Sequence, residues 1–221
     1  MSRGKPRPPT QSSSASSETT TPVRTLAITS RSPDETRIIG ASLAPVLLPG
    51  DVISLNGDLG AGKTVFVQGL AAALGVNTRV TSPAFTIVHE YEARWPIVHI
   101  DVYRLNSFQE VLDLGFEELI DPEAILIVEW GDAVTPLLPR RYLEVDIRRP
   151  AVGDADDERA MVFRPRGPEW IRKLESMRNT AETLLDAASS DEIGEARFVD
   201  ADVPPARDHM ETERPADDGE V

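Results

Sequence analysis

Apolar positions along the chain fall in short alternating or unbroken runs, separated by stretches with helical spacing. That is the pattern of an α/β protein. Thr25-Leu26-Ala27-Ile28-Thr29 alternates like a short strand. Ser32-Pro33-Asp34-Glu35 then has the marks of a helix start: Ser32 as cap, Pro33 in the first position, acids in the first turn. The predicted helix carries Ile38, Ile39, Leu43 and Val46 inward and stops near Pro49-Gly50. Asp51 to Asn56 is a second strand, and Val65 to Leu74 a second helix ended by Gly75. Val80 to Tyr91 begins as a hydroxyl-rich loop and ends as a strand. Ile97 to Tyr103 follows after five residues, which predicts a hairpin-like antiparallel addition to a parallel sheet. Phe108 to Ile120 is helical with a break at Gly115. Ala124-Ile125-Leu126-Ile127-Val128 is unbroken and apolar, as a fully buried central strand requires. Tyr142 to Ile147 and Ala160 to Phe163 alternate and read as two edge strands, joined by an acidic loop from Ala151 to Glu158. Trp170 to about Leu185 reads as one amphipathic helix.

Between the second strand and the second helix stands Gly57-Asp58-Leu59-Gly60-Ala61-Gly62-Lys63-Thr64, which fits G-x-x-x-x-G-K-[ST] without a mismatch. Strand, glycine loop and helix are the context that this motif needs. Successive backbone N–H groups make a concavity for a polyphosphate, and the helix N-terminus adds partial positive charge. Asp58 through Val65 would line that concavity. Lys63 would reach the β- and γ-phosphates, and Thr64 would place its hydroxyl on Mg²⁺. The expected fold is therefore a P-loop NTPase-like three-layer sandwich with a mixed, mainly parallel central sheet.

Composition sets the boundaries. The chain has 221 residues, enough for one domain with tails. Residues 1–22 are Ser-, Thr- and Pro-rich and too polar to bury anything, so they read as a disordered tail. A transit peptide would share the Ser and Arg content but needs an apolar face, which is lacking. The domain spans residues 23–165, and 166–185 form a helical extension. Residues 186–221 hold 12 Asp and Glu against 3 Arg and read as a solvated acidic tail. Both ends are expected to be dispensable for folding. The net charge of -14 argues against non-specific binding to nucleic acid or membranes. Cys is absent and only 3 His are present, which removes disulfides and the usual zinc ligand sets. No apolar run reaches membrane-spanning length, so a soluble cytoplasmic protein without a membrane partner is expected.

Ligands of open α/β sheets bind beyond the carboxyl ends of the strands. Two further predicted strands carry carboxylates toward that side. Asp101 interrupts an apolar run, and Glu129 closes the run from Ile125 to Val128. Either suits Mg²⁺, held directly or through water; the plain alternatives are a hydrogen-bonded structural carboxylate and a solvated strand end. Ser82 and Thr86 lie in a loop able to sense a γ-phosphate, or in an ordinary turn. Trp130 suits either stacking or core filling. His89 and His99 read as structural.

Four segments in this order resemble one family: the loop from Gly57 to Thr64, Ser82-Pro83-x-Phe85-Thr86, His99-x-Asp101-x-Tyr103-Arg104-Leu105, and Val128-Glu129-Trp130. Leu114-Gly115-Phe116-Glu117-Glu118 also fits. They are similar to the TsaE (YjeE) family of small bacterial P-loop ATPases, over roughly residues 25 to 165. The resemblance implies an ATPase required for the threonylcarbamoyladenosine modification at tRNA position 37, working with TsaB and TsaD and meeting tRNA only through that complex. It implies that Thr64 and Glu129 bind Mg²⁺, that Lys63 binds the phosphates of ATP, and that Asp101 is needed for hydrolysis. Two positions depart from the family. Val65 replaces a second hydroxyl residue, though its N–H remains available, and Ala84 replaces the Thr of a Ser-Pro-Thr loop.

Two other classes compete with a partner-controlled ATPase. A small kinase would use arginines over the phosphates, for which Arg79 and Arg104 are candidates, and would need an acceptor pocket. A nucleotide-dependent binding module would turn over negligibly, and the two carboxylates weigh against it.

Overall fold

The computed structural model describes residues 25–105, 108–149, 157–189 and 198–201; residue 108 and residues 198–201 are described by backbone alone. Eight strands form one sheet: β1 (Thr25–Ser30), β2 (Val52–Asn56), β3 (Val88–Tyr91), β4 (Ile97–Asp101), β5 (Ile125–Glu129), β6 (Tyr142–Arg148), β7 (Arg159–Arg166) and β8 (Phe198–Ala201). Their spatial order is β3-β4-β5-β2-β6-β7-β1-β8. The parallel pairings β4–β5, β5–β2 and β2–β6 occupy the centre, and the strands outside them pair antiparallel.

Helices cover both faces, which makes the three-layer α/β sandwich expected from the sequence. On one face α1 (Pro33–Ala41), α2 (Lys63–Ala73) and α4 (Pro168–Ala188) pack Ile39, Phe66, Leu70 and Met177 onto Ile53, Leu55, Ile127 and Phe163. On the other, α3 (Phe108–Asp113) and the 3₁₀ turns Phe116–Leu119 and Gly131–Leu137 bring Val111, Phe116 and Val134 against Val52, Val98, Leu126 and Val128. Alternation assigns the faces. Ile125 and Ile127 join the first cluster, Leu126 and Val128 the second. Each fully buried side chain of this size contributes about 1.5–3 kcal/mol relative to exposure. Among the described residues no helix is long and apolar enough to cross a membrane.

The predicted β3–β4 hairpin and the break at Gly115 both form. Ser32 caps α1, its hydroxyl accepting the Glu35 N–H at 3.1 Å. Three readings need correction. Strands β6 and β7 are interior, not edges: β6 lies against β2, and β1 covers the outer side of β7. Alternation reports one apolar face but is silent on lateral neighbours. Helix α1 stops at Ala41, well before Pro49-Gly50, because the Ser42 hydroxyl donates to the Ile39 carbonyl at 2.6 Å and turns the chain; Leu43 is still buried. Finally, Phe198–Ala201, within the acidic segment, forms β8 along the free edge of β1. Residues 1–22 and most of the acidic segment lie outside the described residues.

Candidate active site

The parallel register places the two carboxylates side by side. Asp101 pairs with Glu129 across β4 and β5, and Leu55 of β2 pairs with Glu129. Odd positions of β4 and β5 share the face of α2, so both carboxylates stand at the strand ends beside the helix that begins with Lys63 and Thr64. Asp101 is 3% exposed and so is Glu129. Buried carboxylates at such a depth need partners. Glu129 Oε1 accepts from Thr64 Oγ1 at 2.9 Å and lies 3.0 Å from His99 Nε2. Asp101 Oδ2 accepts from Ser82 Oγ at 2.6 Å, and its Oδ1 accepts from the Tyr103 N–H at 3.0 Å.

The glycine loop bends from β2 into α2 through left-handed backbone at Gly57, Gly60 and Gly62. A Cβ at Gly57 would lie 2.0 Å from the Ile147 carbonyl oxygen, so the first glycine is required by close approach as well as by φ. Lys63 is 4% exposed. Its Nζ donates to the carbonyls of Gly57 (2.6 Å) and Asp58 (3.0 Å) and stands 3.9 Å from the centre of the Trp130 ring. Burial lowers the pKa of this ammonium below the ordinary lysine value, while Glu129, Asp101, Asp132 and Asp58 act to raise it. A buried lysine surrounded by carboxylates and facing a cleft suits a functional site.

The turn after Glu129 is fixed by unusual geometry. Trp130 has φ 62, a left-handed conformation rare for a bulky residue. Gly131 cannot be larger, since a Cβ there would lie 2.2 Å from Ser54 Oγ. Asn56 Oδ1 holds the next residue by accepting the Asp132 N–H at 3.0 Å. Trp130 also lies 4.8 Å from the Tyr103 ring, so it stacks in the cleft and does not merely fill the core.

Together these groups enclose a cavity of about 250 Å³. Of the sequence-predicted residues, Leu59, Gly60, Gly62, Lys63, Thr64, Val65, Asp101 and Glu129 line it; Asp58 turns its carbonyl to Lys63, and Ala61 is buried. Ser82 and Ala84 border it as well, and the Ala84 N–H donates to Ser82 Oγ at 3.2 Å. Thr86 is turned away, its hydroxyl reaching the Pro83 carbonyl at 3.4 Å. Arg104 lies 4.0 Å over the exposed Phe85 ring. A larger hollow, about 430 Å³ between β1 and α4, has no part in this constellation.

Three side chains escaped the sequence reading. His99 reads as a structural histidine, yet it supports Glu129; its place two residues before Asp101 on one strand face is the signal that could have revealed it. Arg149 Nη2 donates to the Gly60 carbonyl at 3.1 Å and Arg159 Nε to the Ala61 carbonyl at 2.9 Å. Both contacts span some 90 residues or more of chain, and no local pattern announces them.

Thr64 and Glu129 supply hard oxygen donors 2.9 Å apart beside the glycine loop, a donor set that would fit Mg²⁺ if a ligand's oxygens and waters completed it. Among the described residues no group of three or more His, Cys, Asp or Glu could hold a metal without a ligand's help.

Comparison with known proteins identifies relatives of this chain. A family model described as threonylcarbamoyl adenosine biosynthesis protein TsaE matches residues 30–159. The tRNA threonylcarbamoyladenosine biosynthesis protein TsaE of Bacillus subtilis is 41% identical over 146 residues, covering 66% of this chain and 89% of that protein. The protein of the same name from Streptomyces coelicolor is 38% identical over 139 residues, 61% of this chain and 93% of the relative. The crystal structure of YdiB from Bacillus subtilis superposes with a TM-score of 0.62 at 35% identity, covering 72% of this chain and 97% of that one. With the glycine loop, the paired carboxylates and the Trp130 turn all inside the matched span, the chain belongs to the TsaE family.

Proposed function

We propose that this chain takes part in forming N6-threonylcarbamoyladenosine at position 37 of tRNAs that read codons beginning with A, as a Mg²⁺-dependent ATPase acting with TsaB and TsaD. Family membership and the names that the relatives carry support the pathway. One observation carries the ATPase reading: Thr64 Oγ1 lies 2.9 Å from Glu129 Oε1, in the same cavity as Lys63 and Asp101. Phosphate loop, metal ligands and a spare carboxylate thus converge on one space.

The residues divide the work. The N–H groups from Asp58 to Val65 cradle the phosphates, and Lys63 exchanges the Gly57 and Asp58 carbonyls for phosphate oxygens. Thr64 and Glu129 would hold Mg²⁺, whose positive charge would offset that of the phosphates. Asp101, fixed by the Tyr103 N–H, positions the attacking water once Ser82 releases its Oδ2. The Ser82 loop is then the element that a bound partner reorders, so hydrolysis is slow alone and faster in the complex.

Calorimetry and a turnover assay test this. Lys63→Ala should weaken Mg–ATP binding by roughly 2 kcal/mol or more, the loss of a charge-assisted contact. Asp101→Ala should keep ATP binding but lose the rate stimulated by a saturating TsaB–TsaD complex. Equal ATP affinity in wild type and Lys63→Ala would sink the site assignment. A rate indifferent to the complex would sink partner control, and phosphate on a small acceptor would favour a kinase.

A further inference from the structure

Among the described residues other than glycine, only Ile87 and Trp130 have positive φ, 70 and 62. Trp130 stands in the cavity. Ile87 is β-branched, the kind of side chain for which this backbone region costs most. It lies one residue before β3, whose first residue Val88 pairs with Ile100. The Ile87 carbonyl extends that ladder by one step and accepts the Asp101 N–H at 3.0 Å. Its own N–H serves a tight turn. It donates to the Pro83 carbonyl at 2.6 Å, which also accepts the Thr86 N–H at 2.9 Å. The far end of the turn is Ser82, whose hydroxyl donates to Asp101 Oδ2 at 2.6 Å. Asp101 is thus held by both ends of one turn, its main chain at Ile87 and its side chain at Ser82.

The strained bond lies between these two holds. The angle φ is rotation about N–Cα, on the Pro83 side of Ile87, whereas the carbonyl that meets Asp101 is on the other side. That carbonyl is fixed by the ladder, and the Ile87 side chain packs on the second apolar cluster. Rotation to an ordinary negative φ therefore swings residues 82–86. It breaks the Ile87 N–H bond and takes Ser82 from Asp101, while Asp101 stays in the sheet. The backbone strain recovered is of the same order as the hydrogen bonds given up.

We propose that Ile87 is a positioning residue for Asp101: its left-handed backbone loads the Ser82 turn, so that the turn opens readily and frees Oδ2. This rests on the reading of Asp101 as the group that positions the attacking water, and adds what lets the loop move. A glycine or asparagine at this position would close the same turn with little strain and keep Ser82 on Asp101.

Three variants of the full chain separate backbone from packing. Ile87→Ala shortens the side chain but keeps the left-handed penalty. Ile87→Gly shortens it and removes the penalty, and Ile87→Asn retains a side chain with a smaller penalty. Amide hydrogen exchange in the nucleotide-free protein, corrected for intrinsic rates, reads the turn at positions 86 and 87. Exchange there should be slower in Ile87→Gly than in Ile87→Ala by about fivefold or more, and slower in Ile87→Asn as well. That reverses the usual order, in which glycine loosens a chain. With a saturating TsaB–TsaD complex, kcat for ATP should fall by a similar factor between Ile87→Ala and Ile87→Gly, with KM unchanged. Exchange as fast in Ile87→Gly as in Ile87→Ala would show that Ile87 stores no strain. Slower exchange with equal kcat would show that opening of the turn does not govern the reaction. Either result overturns the role of Ile87 and leaves the ATPase reading standing. Should Ile87→Gly fail to fold, Ile87→Asn against Ile87→Ala decides by the same measures. Should wild type hydrolyse no ATP even with the complex, the ATPase reading falls and the role of Ile87 with it.

Discussion

Glu129 relies on His99. The carboxylate is almost fully buried, and two donors meet its Oε1: the Thr64 hydroxyl from the loop side and the His99 ring from the strand side. His99 itself is wholly buried, and its Nδ1 has no hydrogen-bond partner among the described residues. Its one polar bond is therefore the one to Glu129, and that bond aims the carboxylate at Thr64 in the way outer-sphere histidines orient metal ligands. His99→Leu should lower stability by about 1–3 kcal/mol, the cost of leaving a buried acceptor short of a donor. Adding Glu129→Gln should recover part of that loss, because the two residues act as a pair. Chemical denaturation of the single and double variants checks this; strictly additive effects would show that the pair is not coupled.

Two glycines set the seating of the helix that carries the site. A Cβ at Gly69 of α2 would lie 2.0 Å from the Arg37 carbonyl oxygen of α1, and one at Gly40 would lie 2.2 Å from the Phe66 carbonyl oxygen. The helices cross backbone against backbone, and neither glycine can grow unless they separate. Because α2 begins with Lys63 and Thr64, its position sets where these two side chains line the cavity. Gly69→Ala should cost about 1–3 kcal/mol by overpacking, despite the better helix propensity of Ala. It should also weaken Mg–ATP binding, a second readout that a surface glycine would not move. A melting temperature equal to that of wild type would mean the crossing has slack.

Seen whole, the molecule holds its chemistry in the parallel centre of the sheet and closes the sheet with antiparallel strands. The last of these, β8, comes from the acidic segment and pairs with Thr25–Ile28 of β1. Without it β1 would present a row of free N–H and C=O groups, the usual template for pairing between chains. A chain ended at Ser189 should therefore melt lower and self-associate with rising concentration, whereas one ended at Ala201 should behave as wild type. Sedimentation and thermal melts compare the two; a monomeric chain 1–189 with an unchanged melting temperature would make β8 ornamental.

What the sequence determined by itself is what short-range physics controls. Periodicity marked the strands from Thr25 to Phe163, the cap at Ser32 and the break at Gly115, because alternation and capping act over a few residues. The glycine loop was legible for the same reason, its eight residues being contiguous, and so were Asp101, as a polar break in an apolar run, and Glu129, as the polar end of one. Strand order was decided only by the tertiary structure: β6 and β7 look like edges in isolation and become interior when β1 and β8 pair beyond them. The support of Glu129 by His99 depends on the β4–β5 register, and the reach of Arg149 to Gly60 joins residues 89 apart in the chain. Such contacts arise when distant segments are packed together, so no local pattern of residues encodes them.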